Sequence, residues 1–126
     1  MVTGTTARQY QTQQTHYIAV DVAGSDGAQT VDIGIIPAGS FITHAGFVVR
    51  TAFNGTGTVS MGPSTDTDGL MSAVVITATG AKDADDIGTS DDVYVSSATT
   101  FQAVVGGTPT AGAGLAYVYY IPDNRN

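Results

Sequence analysis

Residues Ile33 to Ala73 read IGIIPAGSFITHAGFVVRTAFNGTGTVSMGPSTDTDGLMSA. A strand enters Pro37-Ala38-Gly39, a long alternating strand leaves it, and an acidic bend, Asp66-Thr67-Asp68-Gly69, closes the stretch. From Phe41 to Phe53, Phe41, Thr43, Ala45, Phe47, Val49, Thr51 and Phe53 share one parity, and His44, Gly46, Val48 and Arg50 the other. Alternation of period two is the mark of a strand with one buried face. Asn54-Gly55 predicts a hairpin turn, since both residues tolerate positive φ. The chain then returns from Thr58 to Met61, with Val59 and Met61 inward. The stretch is dense in strand and turn signals and nearly empty of reactive side chains, so it points to shape and contact rather than catalysis.

The same pattern extends outward. Ile18, Val20 and Val22 point one way from a strand over His16–Val22. Gly24-Ser25-Asp26-Gly27 turns, and Thr30–Ile36 alternates with Val31, Ile33 and Ile35 inward, which together read as a hairpin. After the acidic bend, Asp68 is placed to cap a short helical turn at Leu70–Ala73. Val74–Thr77 is β-branched and reads as a strand. Gly80–Asp92 reads as a long acidic loop and Val93–Ser96 as a short strand. Phe101, Ala103 and Val105 point inward. In the last strand Leu115, Tyr117, Tyr119 and Ile121 lie on one face and Val118 and Tyr120 on the other. Pro122 ends it, because proline cannot donate to a ladder.

Seven or eight short strands without a helix of ordinary length predict an all-β, antiparallel β-sandwich of jelly-roll type. The expected organisation is an extended N-terminal arm over residues 1–15 and one β-sandwich domain over residues 16–126. The arm is polar, rich in Thr and Gln, and carries Tyr10 as its anchor for a partner. Composition agrees. Charged residues are 12% of the 126, against about 25% in ordinary domains. All 11 acids are Asp, and a chain poor in Glu and Lys but rich in Thr and Val favours strands over helices.

Several classes of chemistry are disfavoured by residue content. There is no cysteine, which removes disulfides, thiol nucleophiles and Cys-based zinc sites. A net charge of −7, with only Arg8, Arg50, Lys82 and Arg125 as bases, argues against a nucleic-acid face. No stretch approaches the ~20 apolar residues of a membrane helix, and Met1–Thr15 has no apolar signal core. His16 and His44 are the two histidines; His44 reads as a packed or surface residue of its strand, and no Gly-x-Ser-x-Gly elbow occurs. An enzyme is therefore not expected, nor a cofactor. The calcium candidates are Asp66, Asp68, Asp83, Asp85 and Asp86. Ser64-x-Asp66-x-Asp68-Gly69 begins like an EF-hand loop, but Ser stands where the first Asp belongs and Val75 where the closing Glu belongs, so the motif fails and no metal site is expected. Tyrosine is the residue type left over. Tyr10, Tyr17, Tyr117, Tyr119 and Tyr120 are the interface candidates, since tyrosine joins apolar area to a polar tip.

IPAGSFITHAGFVVRTAF, NGTGTVSMG, TDTDGLMSA and GTPTAGAGLAYVYYIP, in that order between Thr30 and Pro122, resemble the capsid decoration (cement) and head-fibre-like structural proteins of tailed bacteriophages. In that group a strand runs into PAG, a hydrophobic strand ends near TAFN, a D-x-D-G-L bend follows, and a G-T-x-T-A-G-x-G hairpin precedes the terminal strand. The resemblance implies a jelly-roll-like sandwich that assembles as an oligomer on the outer surface of the head, after synthesis in the host cytoplasm. Its implied partners are the major capsid protein, which it would bridge and cement, and further copies of itself, a trimer being favoured over a dimer. It implies no catalytic residue. The alternative reading is a receptor- or carbohydrate-binding sandwich of a phage fibre or adhesin.

Overall fold

The computed structural model of the chain describes residues 15–122, except 85 and 89. Its strands are β1 (His16–Ala23), β2 (Gln29–Ile36), β3 (Phe41–Thr51), β4 (Thr58–Pro63), β5 (Met71–Val75), β6 (Gly80–Asp83), β7 (Thr99–Gly106) and β8 (Ala113–Ile121). They form two four-stranded sheets, ordered β1-β8-β3-β6 and β2-β7-β4-β5, and every pairing is antiparallel. The first strand pairs with the last, the second with the seventh, the third with the sixth and the fourth with the fifth. That nesting is the winding of a jelly roll, so the expected fold class holds.

The same winding corrects the local readings. β1 and β2 do not form a hairpin, because β1 pairs with β8 and β2 with β7. Asn54-Gly55 is not a hairpin either: β3 and β4 lie in different sheets. Positive φ falls on Gly55 and Thr56, at 58° and 61°, one position later than expected. The GTPTAG segment likewise carries the chain from one sheet to the other. Each of these turns spans the gap between sheets, which is about 10 Å. A strand that has buried its one apolar face against the opposite sheet gains as much from crossing as from returning alongside.

Two register shifts reverse parity. One lies between Asp32 and Gly34, so Ile36 is buried while Ile35, expected inward, is 65% exposed. Another lies between Ile42 and His44, which buries Ile42 and leaves Phe41 45% exposed. An extra residue in one strand flips every side chain beyond it. Three further expectations fail. Leu70–Ala73 is not a helical turn, since β5 begins at Met71 and ends at Val75, short of Thr77. The acidic loop begins with a strand, β6, held by β3 through Gly46↔Asp83 to Val49↔Gly80. Val93–Ser96 is not a strand: a 3-10 turn covers Asp91–Val93, and a single bridge joins Tyr94 to Phe41.

The core lies between the sheets. Ala45, Phe47 and Val49 of β3 and Ala116, Val118 and Tyr120 of β8 meet Val59 and Met61 of β4 and Phe101, Ala103 and Val105 of β7. Phe47 and Phe53 pack edge to face with centroids 5.9 Å apart. Complete burial of each such side chain stabilises the fold by roughly 1.5–3 kcal/mol. Alternation in β8 places Val118 and Tyr120 inside and leaves Tyr117 and Tyr119 outside, as their parity predicts.

Candidate interaction surface

Three strands bring one aromatic row to the outer face of the β1-β8-β3-β6 sheet. Tyr17 of β1 stands opposite Tyr119 of β8, and Tyr119 opposite His44 of β3. The Tyr17–Tyr119 centroids are 5.8 Å apart and the His44–Tyr119 centroids 6.2 Å, edge to face. Tyr117, two residues back on β8, packs at 5.5 Å from Tyr119 and stacks at 5.9 Å on His44. Cross-strand aromatic pairs of this kind contribute roughly 0.2–1 kcal/mol each. Solvent still reaches them: Tyr17 is 66% and Tyr119 41% exposed.

Gly46 makes room for this cluster. A Cβ there would sit 2.6 Å from the Tyr117 hydroxyl and 2.8 Å from the Lys82 carbonyl, so the Tyr117 ring lies over bare backbone. Its hydroxyl is 3.4 Å from His44 Nε2, and the same nitrogen is 3.4 Å from Asp83 Oδ1. β6, the strand hidden in the acidic segment, delivers that carboxylate beside Gly46. Burial, then the Asp83 charge, then Tyr119 hold the Tyr117 hydroxyl above its ordinary value of 10.0. A phenol held protonated is a hydrogen-bonding group rather than a nucleophile. The His44–Asp83 and Arg50–Asp21 pairs are largely exposed, where such pairs contribute little.

Charge is distributed unevenly. Arg50 and Lys82, the two bases among the described residues, both lie in strands of this sheet, with Asp21 and Asp83 to balance them. Asp26, Asp32, Asp66, Asp68, Asp86, Asp91 and Asp92 lie elsewhere. The aromatic face is therefore neutral on a strongly acidic molecule.

Of the five tyrosines singled out by sequence, Tyr17, Tyr117 and Tyr119 come together here. Tyr120 faces the core at 9% exposure, against His16 at 5.7 Å. Tyr10 lies outside the described residues, as does Asp85. Asp66, Asp68 and Asp86 lie in loops at the end of the sandwich where β4 leads to β5 and β6 to β7, whereas Asp83 belongs to the aromatic face. Among the described residues no three His, Asp or Glu side chains are grouped to hold a metal ion. Sequence reasoning missed His44 and Gly46 as parts of the surface, although it gave them the shared outward parity that was their signal.

Among solved structures, the chain resembles one in the cyanophage Pam1 capsid asymmetric unit, with a TM-score of 0.62 at 15% identity over 88% of this chain and 85% of that one. It also resembles a chain in the acidic stable capsid structure of Helicobacter pylori bacteriophage KHP30, with a TM-score of 0.64 at 13% identity over 86% and 92%. At such identities the likeness is one of fold. No family model matches the chain, and none of the curated proteins compared with it matches.

Proposed function

We propose that this chain is a structural virion protein of a tailed bacteriophage that decorates the outer surface of the icosahedral head and cements neighbouring major capsid protein subunits. The observation that carries the proposal is the exposed, charge-balanced aromatic row Tyr17–Tyr119–His44 with Tyr117 beside it. Contiguous exposed apolar area on a soluble domain marks a contact surface, and tyrosine is enriched in such contacts. The likeness of fold to chains in two phage capsid structures supports the setting. Many identical modest contacts around a closed shell add through multivalency, so each copy needs only a small interface. Self-assembly, as a trimer in preference to a dimer, belongs to the same reading and suits threefold positions of the shell.

Cryo-electron microscopy of the parent particle tests it. Eight-stranded density outside the capsid shell is expected, with the β1-β8-β3-β6 sheet turned toward a neighbouring subunit. A head lacking this protein removes the proposal. Tyr119→Ser with Tyr17→Ser, added to particles that lack the protein, is expected to lose retention while remaining folded.

A further inference from the structure

A cleft of about 190 Å³ opens at the end of the sandwich opposite the Asn54 turn. We infer that it binds a single neutral sugar ring. Phe101, Pro63, Thr65, Asp92, Tyr94 and Ser96 are among the residues that line it. Tyr94, 60% exposed, is the accessible aromatic side chain of the lining. The backbone holds the walls in place: Val95 exchanges hydrogen bonds with the Pro37–Ser40 turn, Gly39 N donating at 2.6 Å and Ser40 O accepting at 2.9 Å. Ser64 N donates to Thr100 O at 2.8 Å. Ser90 Oγ accepts from Asp92 N at 3.0 Å, which fixes the start of the turn that carries the carboxylate.

The chemistry of the lining selects the ligand. Cofactor and drug-sized ligands occupy mostly apolar pockets of roughly 300–1,000 Å³, which this cleft is too small and too hydroxylic to match. Phosphates and other anions are disfavoured by Asp92 in the lining, by Asp66, whose carboxylate lies with that of Asp92 close to Gly69, and by the position of Arg50 and Lys82 on the other sheet. What fits is an uncharged polyol with one apolar face. The C–H face of a pyranose stacks on Tyr94, and its hydroxyls meet the carboxylate and the Ser and Thr hydroxyls. This inference rests on the cleft alone and stands or falls separately from the docking role of the aromatic face.

The test is a backbone-amide NMR titration of the full chain with glucose, galactose, mannose and N-acetylglucosamine, with glucuronate as the anionic arm. Expected are saturable millimolar shifts with at least one neutral sugar, confined to residues around Tyr94, Ser96 and Thr99. Tyr94→Ala is expected to weaken binding about tenfold, the loss of one stacking partner. Its bridge to Phe41 is made by the backbone, so unchanged core amides are expected to show the fold intact. Asp92→Asn keeps the side-chain volume and provides the second variant, expected to weaken binding several-fold. Silence with all neutral sugars overturns the inference. So do binding of glucuronate alone, shifts elsewhere on the surface, or binding undiminished in both variants.

Discussion

Two side chains show how local chemistry sets stability in this molecule. Ser40 is fully buried, and its Oγ has no hydrogen-bond partner among the described residues. Its backbone, by contrast, is engaged at both ends, donating to Pro37 O and accepting from Val95 N. A buried hydroxyl without a partner carries its desolvation cost uncompensated. Ser40→Ala removes the hydroxyl and keeps the backbone bonds, so it is expected to raise unfolding stability by about 1 kcal/mol, read from urea denaturation midpoints at unchanged slope. Tyr117 makes stability depend on alkaline pH. Its folded value is raised, so the unfolded chain loses the proton first as pH rises. The contribution is intact below 10.0 and is lost from there up through the raised value. Thermal melts are expected to show a fall in stability over that window that is smaller in Tyr117→Phe; an identical fall in the two proteins would mean that Tyr117 does not cause it.

Among the elements, the turn after β3 ties together parts of the chain that are far apart in sequence. Asn54 Oδ1 accepts from Thr110 N at 2.7 Å and Ala111 N at 3.1 Å, while Nδ2 donates to Thr110 Oγ1 at 2.9 Å. Thr108 N donates to Gly55 O at 2.8 Å. One side chain thus ties the β3–β4 crossing to the β7–β8 crossing. Gly55 sits at φ 58° with the Thr108 carbonyl where a Cβ would stand. Asn54→Ala frees two backbone amides at a partly hydrated site and is expected to cost about 2 kcal/mol; a loss below a few tenths, by chemical denaturation, would show that water replaces the bonds. In the sequence Asn54-Gly55 and Thr108-Pro109-Thr110-Ala111 are two separate turn signals. That they bind each other was not legible, because nothing in either motif names a partner more than fifty positions away. The alternation of β8 was legible, since Val118 and Tyr120 against Tyr117 and Tyr119 need only a period of two. β6 was not, because Gly80-Ala-Lys-Asp83 has little strand propensity and is made a strand by β3. Ile35 and Phe41 were misplaced because a bulge leaves no mark in composition. The tyrosines were legible as candidates, and three of the five, Tyr17, Tyr117 and Tyr119, share one outer face. Their neighbours His44, Gly46 and Asp83 come from strands that only the winding places side by side.

At the scale of the whole molecule, segregated charge makes the proposed self-assembly testable by salt alone. The chain carries −7, and seven of the described acids lie off the aromatic sheet, where Asp21 and Asp83 are matched by Arg50 and Lys82. Copies whose aromatic faces converge on a threefold axis gain apolar burial there while their remaining surfaces repel. Raising ionic strength from ~0.01 M to ~0.15 M shortens the screening length from about 30 Å to about 8 Å. The repulsion weakens and the apolar gain does not. Sedimentation velocity is therefore expected to show a larger oligomeric fraction at the higher salt. Dissociation by salt would mean that ion pairs, not the tyrosine row, hold the copies together. Tyr119→Ser separates the contact from the fold: at 41% exposure, with ring contacts to Tyr17 and His44 lost, it is expected to cost about 1 kcal/mol of unfolding stability and leave the chain folded, yet to abolish the salt-strengthened association. If the variant associates as the parent does, the contact between copies lies elsewhere on the molecule.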